Sequence, residues 1–439
     1  MNVEVGRMKK VLFITYYWPP AGGAPINRIL KFYQYLPEFG WEAVILTTEG
    51  GDFPFEDESL LKEVRPDTKV YRSKGLSLHK IFSSVSPKSK KNFVPYGFTD
   101  ASKNSFMDKL SRWVKYNFIP DTRFPWYFST VSKAVKIVQD EKIDLIFSSS
   151  PPQTNHLIAR KVARKTGLPW VADFRDPWTD VFWLLNNSIR WKWIHNIDKR
   201  VERRTIAKMD AVITVGTSLV EILQRKTDKK IHLISNGYDD KYFRDLHYVK
   251  NPKFRITYAG SLSKEQDPVC FFNALELLKD NKDFYDNIEI FFLGNFPTYL
   301  YDLVNQSSYK DKTSYSPYTF YTDSLKSIAA SELLLLIVPE TDDNKCILTS
   351  KLFDYMGACR PILAYGPLEG DAAKVLQQAE AGEMFDYTDS RRSAAYILKS
   401  FLVWKSEEMG VQLQQEKIEQ YTRRNLTKQL AEVMDSMMK

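Results

Sequence analysis

The sequence predicts an α/β protein of two domains, each a parallel β-sheet flanked by helices. Three observations carry this. The chain has 439 residues, too many for one ordinary core, and its 44% hydrophobic and 14% aromatic content is enough for two. Short apolar β-rich runs alternate with amphipathic stretches through the first half. The same order then restarts after a polar, proline-containing stretch at 245–252.

In the first half, strands are expected at 11–17, 43–46, 145–148, 170–173, 211–215 and 231–234, with helices at 26–39, 131–139, 154–165 and 218–226. In the second half, strands are expected at 255–259, 289–293, 333–338 and 361–364, with helices at 268–279, 325–331, 351–357 and 371–378. Repeated strand–helix order calls for parallel sheets with helices on their faces. The domains are expected to span 1–248 and 252–410. Residues 411–439 form a terminal helix, carried by Leu426, Leu430, Val433 and Met437 at helical spacing and expected to pack back on the N-terminal domain.

Composition excludes several classes. Cys270, Cys346 and Cys359 lack CxxC or Cys/His spacing, and the five histidines do not cluster, so neither a disulfide framework nor a zinc site is expected. Arg7, Lys9 and Lys10 precede a strand-like run rather than an apolar signal segment. The longest clean apolar run, Leu333 to Val338, is far short of the roughly 20 residues that cross a bilayer. A cytoplasmic chain is expected, and a metal site is not.

The net charge of +8 is concentrated: between Lys74 and Lys136 twelve Lys/Arg face three acids, Asp100, Asp108 and Asp121. Within that stretch Phe106, Leu110, Trp113, Val114 and Phe118 share one helical face and Lys103, Lys109, Arg112 and Lys115 another. A second aromatic and basic stretch runs from Trp183 to Arg204. Both suit an interfacial helix on an anionic inner-leaflet membrane surface, and equally two helices packing their apolar sides on the first domain. Nucleic acid is not expected, because no RNP, helix-turn-helix or finger signature accompanies the charge.

Five segments could carry chemistry. Gly22 and Gly23, after the first strand and ahead of a helix with Arg28, let backbone amides approach an anion, or simply make a turn. Asp173, Arg175 and Asp176 leave the end of one strand and the stretch Ser148 to His156 leaves another, where open α/β sheets place ligands. The acids could orient a sugar hydroxyl while Arg175 offsets their charge, or the three could cap the next helix. His156 is as well read as a helix-start histidine as a catalytic one. Asn236-Gly237 reads as a turn that uses positive φ. Gly260, Ser261 and Lys264 follow the first strand of the second half and could cradle a diphosphate. The densest segment contains Glu340 and then Thr349, Ser350, Lys351, Leu352 and Asp354. A helix capped by Thr349 or Ser350 would bring amides, hydroxyls and the Lys351 ammonium to a diphosphate, with Asp354 one turn on to accept ribose hydroxyls.

Together these segments resemble the retaining family-4 glycosyltransferases of the GT-B fold, in the branch that builds bacterial surface polysaccharides. The resemblance spans nearly the whole chain: Tyr17 to Arg28, Asn236 to Asp239, Tyr258 to Leu262, Met356 to Ile362, and Trp170 to Trp178, the last almost letter for letter. Ser261 stands where most of the family has arginine, and Cys346 and Asp354 stand where it has two glutamates.

The resemblance implies two Rossmann-like domains with parallel sheets facing across a cleft. It implies metal-independent transfer, with retention, from a nucleoside diphosphate sugar, UDP being the expected carrier, to a lipid-linked or polysaccharide acceptor. No cofactor beyond the donor is implied. Donor binding falls to Gly22, Gly23, Arg28, Gly260, Ser261, Lys264, Glu340, Thr349, Ser350, Lys351, Leu352 and Asp354, and the reacting end to Asp173, Arg175, Asp176 and His156. An epimerase of the same fold and a non-catalytic scaffold are the alternative readings.

Overall fold

The computed structural model describes residues 7–51, 53, 56–75, 113–114, 116–181, 184, 189–246, 248, 250–317, 321–406 and 412–438. Most of the basic segment, including Lys103, Phe106, Lys109, Leu110, Arg112 and Lys115, lies outside the described residues. The chain divides into two compact units, Met1–Ser235 with Leu426–Lys439, and Asn236–Asn425.

The first unit holds strands β1 (Lys9–Ile14), β2 (Trp41–Glu49), β3 (Val70–Lys74), β4 (Leu145–Ser150), β5 (Trp170–Phe174), β6 (Ala211–Thr214) and β7 (Ile231–Leu233). They form one sheet in the order β3-β2-β1-β4-β5-β6-β7, every neighbour parallel. The helices of this unit are α1 (Ala24–Tyr35), α2 (Trp126–Glu141), α3 (Thr154–Thr166), α4 (Lys192–Ile206) and α5 (Thr217–Gln224). The helix expected over 26–39 stops at Tyr35 and tightens into a 3-10 turn, Leu36–Phe39. Pro37 supplies the reason, having no N–H for the helical ladder, and Gly40 closes the end at φ 79°. Val11 to Ile14, Val44 to Leu46, and Leu145 to Phe147 are buried on both faces, as a sheet covered by helices on each side requires.

The second unit holds β8 (Phe254–Ala259), β9 (Ile288–Leu293), β10 (Thr313–Ser316), β11 (Leu333–Ile337), β12 (Ile362–Tyr365) and β13 (Gly382–Phe385), in the order β10-β9-β8-β11-β12-β13 and again all parallel. Its helices are α6 (Val269–Glu276), α7 (Lys282–Asn287), α8 (Thr298–Gln306), α9 (Tyr321–Ala329), α10 (Ser350–Gly357), α11 (Asp371–Gln378), α12 (Ser390–Ser406) and α13 (Gln415–Ile418). The last helix, α14 (Arg423–Ser436), sends Leu426, Leu430, Val433 and Met434 into the core of the first unit. There Asp435 accepts a hydrogen bond from the Trp41 indole at 2.9 Å and pairs with Lys9.

The Asn236-Gly237 turn differs from its expected form. Neither residue has positive φ; the turn is held by Tyr238, whose N–H donates to Tyr421 O and whose carbonyl accepts from Arg423 N. Among the described residues no helix is long and apolar enough to cross a membrane.

Candidate functional site

Each sheet reverses its direction of growth once, between β1 and β4 in the first unit and between β8 and β11 in the second. At such a point the loops leaving the two strands diverge to opposite faces and open a crevice at the carboxyl ends. The residues singled out by sequence lie beside these two openings.

In the second unit, α10 is fastened to the opening by Tyr355. Its hydroxyl accepts from Ala259 N at 2.9 Å and donates to Leu335 O at 3.3 Å, tying the helix to the end of β8 and the middle of β11 together. Thr349 is the helix cap, its hydroxyl accepting from Lys351 N at 3.2 Å. Lys351 leaves the first turn and reaches the glycine after β8. Its ammonium donates to Tyr258 Oη at 2.6 Å and Ser261 O at 3.2 Å, and lies 4.4 Å from the centre of the Tyr258 ring. Gly260 makes room for it: at φ 115°, an added methyl would collide with Cε of Lys351 and stand 2.8 Å from Nζ.

No carboxylate pairs with Lys351 among the described residues, and burial pushes its ammonium down to about 8. One turn on, Asp354 accepts from the Tyr321 hydroxyl at 2.7 Å. Burial raises the Asp354 carboxyl to about 6 against the opposing effects of that hydrogen bond and the nearby Arg423 charge. Two half-buried groups of opposite sign thus sit one helical turn apart, each displaced toward its neutral form. An anion would restore the charge on Lys351, and hydroxyl donors would satisfy Asp354.

The other expected residues of this unit divide. Ser261, Lys264, Glu340 and Ser350 are exposed at the rim, and the Glu340 N–H is used on Glu265 O. Leu352 is a correction: its side chain is wholly buried in the core between α10 and the sheet, leaving only its backbone amide for a ligand. Tyr321 and Tyr355 escaped the sequence reading, because each acts on a partner at least 20 residues away.

The first unit is built differently. Gly22 is buried, and Gly23, at φ 96°, precedes α1. Arg28 is a second correction. It is wholly buried, donating through Nη2 to Asp173 Oδ1 at 3.0 Å, through Nε to Asp173 Oδ2 at 3.1 Å, and to the carbonyls of Ser235 and Ile234 at 2.7 and 2.8 Å. Its donors are consumed in joining α1 to β5 and to the end of β7, so it is not free to hold a phosphate. Asp173 pairs directly with Arg28, while Arg175 acts on it through charge alone, and Ser149 Oγ also donates to it at 2.7 Å. Arg175 donates to Ser150 O at 2.9 Å and Pro151 O at 2.6 Å, clamping the loop after β4. Asp176 is half-buried, and burial raises its carboxyl against the lowering effect of Arg175.

His156 is a third correction as a proton donor: burial pushes its imidazole down to about 3, so the ring is neutral rather than an imidazolium at neutral pH. Its Nδ1 lies 2.8 Å from Ser148 Oγ, which accepts from Trp170 Nε1 at 2.8 Å. Ser148 Oγ can either donate to Nδ1 or accept from it, so the ring proton sits on Nε2 or on Nδ1 accordingly. Among the described residues Nε2 has no partner, and neither do the buried Ser150 Oγ, Gln153 Oε1 and Asn155 Oδ1. Buried polar atoms without partners are rare, and four on seven consecutive residues mark a place suited to a neutral, hydroxyl-rich ligand. Among the described residues no group of three or more His, Cys, Asp or Glu is arranged to hold a metal.

Residues 27–242 match the profile of Glycosyltransferase Family 4. Over these residues the chain is similar to that family. Solved structures extend the likeness in fold to both units. Sucrose-phosphate synthase from Thermosynechococcus elongatus has a TM-score of 0.64 at 12% identity, over 98% of this chain and 99% of its own. Anabaena HepE in complex with UDP gives 0.61 at 12% identity, over 98% and 100%. TarM of S. aureus, in a complex containing UDP and alpha-GlcNAc-glycerol, gives 0.56 at 12% identity, over 98% and 100%. With its two parallel sheets, the chain has the GT-B fold. No curated protein sequence matches it.

Proposed function

We propose that the chain is a glycosyltransferase that moves a sugar, with retention at the anomeric carbon, from a UDP-sugar to a lipid-linked or saccharide acceptor in bacterial surface-glycan synthesis. The observation that carries this is Lys351, a half-buried ammonium without a carboxylate partner, held against Gly260 at the β8/β11 opening. Breaking the sugar–phosphate bond leaves negative charge on the departing diphosphate and positive character on the sugar ring. A preplaced cation stabilises the first of these, and it does so most effectively where water is excluded. Asp354, oriented by Tyr321, holds the ribose hydroxyls and fixes the direction in which the diphosphate lies.

The complexes of HepE and TarM with UDP support the choice of donor. Acceptor hydroxyls are assigned to the loop after β4, where His156 offers its unused Nε2 and Gln153 and Asn155 offer oxygen acceptors. Asp176 stands at the end of β5 to receive a hydroxyl proton or hydrogen bond. His156 supports the transfer by position rather than as an acid or base, which speaks against the epimerase reading. The charge on Lys351 makes metal independence part of the proposal. Peripheral residence on the inner face of the membrane would bring the chain to a lipid-linked acceptor.

The test is turnover. Purified protein, incubated with UDP-sugars and lipid-linked or glycan acceptors, is expected to release UDP only with a matched pair, to give a product of unchanged anomeric configuration by NMR, and to tolerate EDTA. Epimerisation of the donor without acceptor, or inversion in the product, would overturn the reading.

A further inference from the structure

Helix α4 gives the first unit a surface whose chemistry is one-sided. From Trp191 to Lys208 the sequence contains two acids, Asp198 and Glu202, and both are wholly buried. Asp198 is consumed by Arg190 at 2.5 Å and the Trp178 indole at 3.0 Å. Glu202 is consumed by Lys226 at 2.6 Å and Thr179 Oγ1 at 2.5 Å. The acids therefore neutralise cations from neighbouring segments and none of those on their own helix. Lys192, Arg200, Arg203, Arg204 and Lys208 are exposed and make no ion pair among the described residues.

The same face carries large apolar side chains in water. Trp191 is 48% exposed, Trp193 58%, Ile197 38%, and Trp113 from another segment 37%. The three indoles form one patch, Trp113 against Trp191 at 5.3 Å and Trp191 against Trp193 at 5.8 Å. Trp193, Ile197, Arg200 and Arg204 follow one another at helical spacing, so the aromatic patch runs directly into the cationic stripe.

We infer that this face docks on an anionic phospholipid bilayer, with the tryptophans at headgroup depth and the arginines against lipid phosphates. Indoles have an apolar body and a polar N–H and favour the interface between headgroups and acyl chains, while a cationic stripe beside them adds attraction to anionic lipid. A second copy of this chain fits less well, since a two-fold contact through the face would set its cations against themselves. A nucleic acid would engage the cations, but the indoles pack edge to face or tilted on one another rather than standing apart to receive successive bases. The surface gives a location to the peripheral residence proposed above, yet it would bind lipid whether or not the chain transfers sugar.

The experiment is co-sedimentation of the full chain with vesicles of phosphatidylglycerol and phosphatidylcholine, or of phosphatidylcholine alone, at low salt and at about 0.5 M salt. Two variants accompany it: Trp191→Ser with Trp193→Ser, and Arg200→Glu with Arg203→Glu and Arg204→Glu. All substituted residues are exposed, and unchanged thermal unfolding reports that each variant is folded. The wild type is expected to partition onto anionic vesicles with a blue shift in tryptophan emission, to do so weakly on neutral ones, and to be released by salt. Each variant is expected to lose roughly tenfold or more of that partitioning. Failure of the wild type to bind anionic vesicles overturns the inference, as does binding that neither variant weakens. Tighter binding to a single-stranded oligonucleotide than to vesicles, or a dimer that the tryptophan variant dissolves, overturns it in favour of those partners. UDP binding measured on the same samples separates the two proposals: intact UDP binding without vesicle binding removes only the membrane surface.

Discussion

The two sheets share one plan, and their openings differ in how charge is treated. At the β1/β4 opening the cations are already used: Arg28 is locked to Asp173 and Arg175 is spent on two carbonyls, while neutral polar atoms are left without partners. At the β8/β11 opening the reverse holds. Among the described residues Lys351 has no carboxylate and Asp354 no cation in contact, only the Tyr321 hydroxyl and the charge of Arg423 nearby. On the proposed reading, one opening takes a neutral, hydroxyl-bearing ligand and the other a charged one. The lesson is that a conspicuous charged residue in a sequence points to a ligand only when the structure leaves its charge uncompensated.

The largest expected effect breaks the first opening. Asp173→Ala leaves Arg28 buried and unpaired, and the first unit is expected to lose about 3–5 kcal/mol in denaturant unfolding. Arg28→Met combined with Asp173→Leu is expected to recover most of that loss; equal destabilisation by single and double variants would show that the pair does more than neutralise itself. At the second opening, Lys351→Ala removes charge-assisted hydrogen bonds and is expected to weaken UDP binding by about 10- to 100-fold with thermal unfolding unchanged. Gly260→Ala is expected to match it, because the methyl takes the space of the Lys351 side chain at a backbone angle that disfavours any residue but glycine.

A subtler effect is in pH. Lys351, lowered to about 8, binds a diphosphate as the cation, so UDP affinity is present below that pH and falls as pH rises through it. Asp354, raised to about 6, accepts ribose hydroxyls as the anion, so affinity falls as pH drops through that value. The pH profile of UDP affinity should therefore be highest between the two. Lys351→Met should flatten the alkaline limb. Tyr321→Phe removes a hydrogen bond that lowers the Asp354 carboxyl, so the acid limb should move to higher pH, an effect that titration of the UDP phosphate itself cannot produce. The smallest change is expected for Lys264→Ala, an exposed lysine without an ion pair among the described residues, where UDP affinity should move by less than about twofold.

The central strands were legible because they are buried on both faces and read as apolar runs. The strands that went unread, β3, β10 and β13, all lie at sheet edges. Val70 to Lys74 and Thr313 to Ser316 mix polar with half-buried residues, which leaves no run to notice. The segment from Thr349 to Asp354 was legible for another reason: cap, cation and carboxylate lie within six residues, so helix geometry alone sets their spacing. What could not be read was pairing across the fold. Asp173 has Arg175 two residues away in sequence but takes Arg28, 145 residues distant, as its counter-charge. His156 reads equally as a helix-start or a catalytic histidine in sequence, and only its neighbours Ser148, Trp170 and Phe174 show it as a buried neutral ring.

Calorimetric titration of UDP into the wild type, Lys351→Ala and Asp354→Ala tests the assignment of the second opening most directly. The wild type is expected to bind, and both variants to bind at least about tenfold more weakly while keeping its thermal unfolding. Wild-type affinity in both folded variants would contradict the assignment of the donor diphosphate to Lys351 and of the ribose to Asp354.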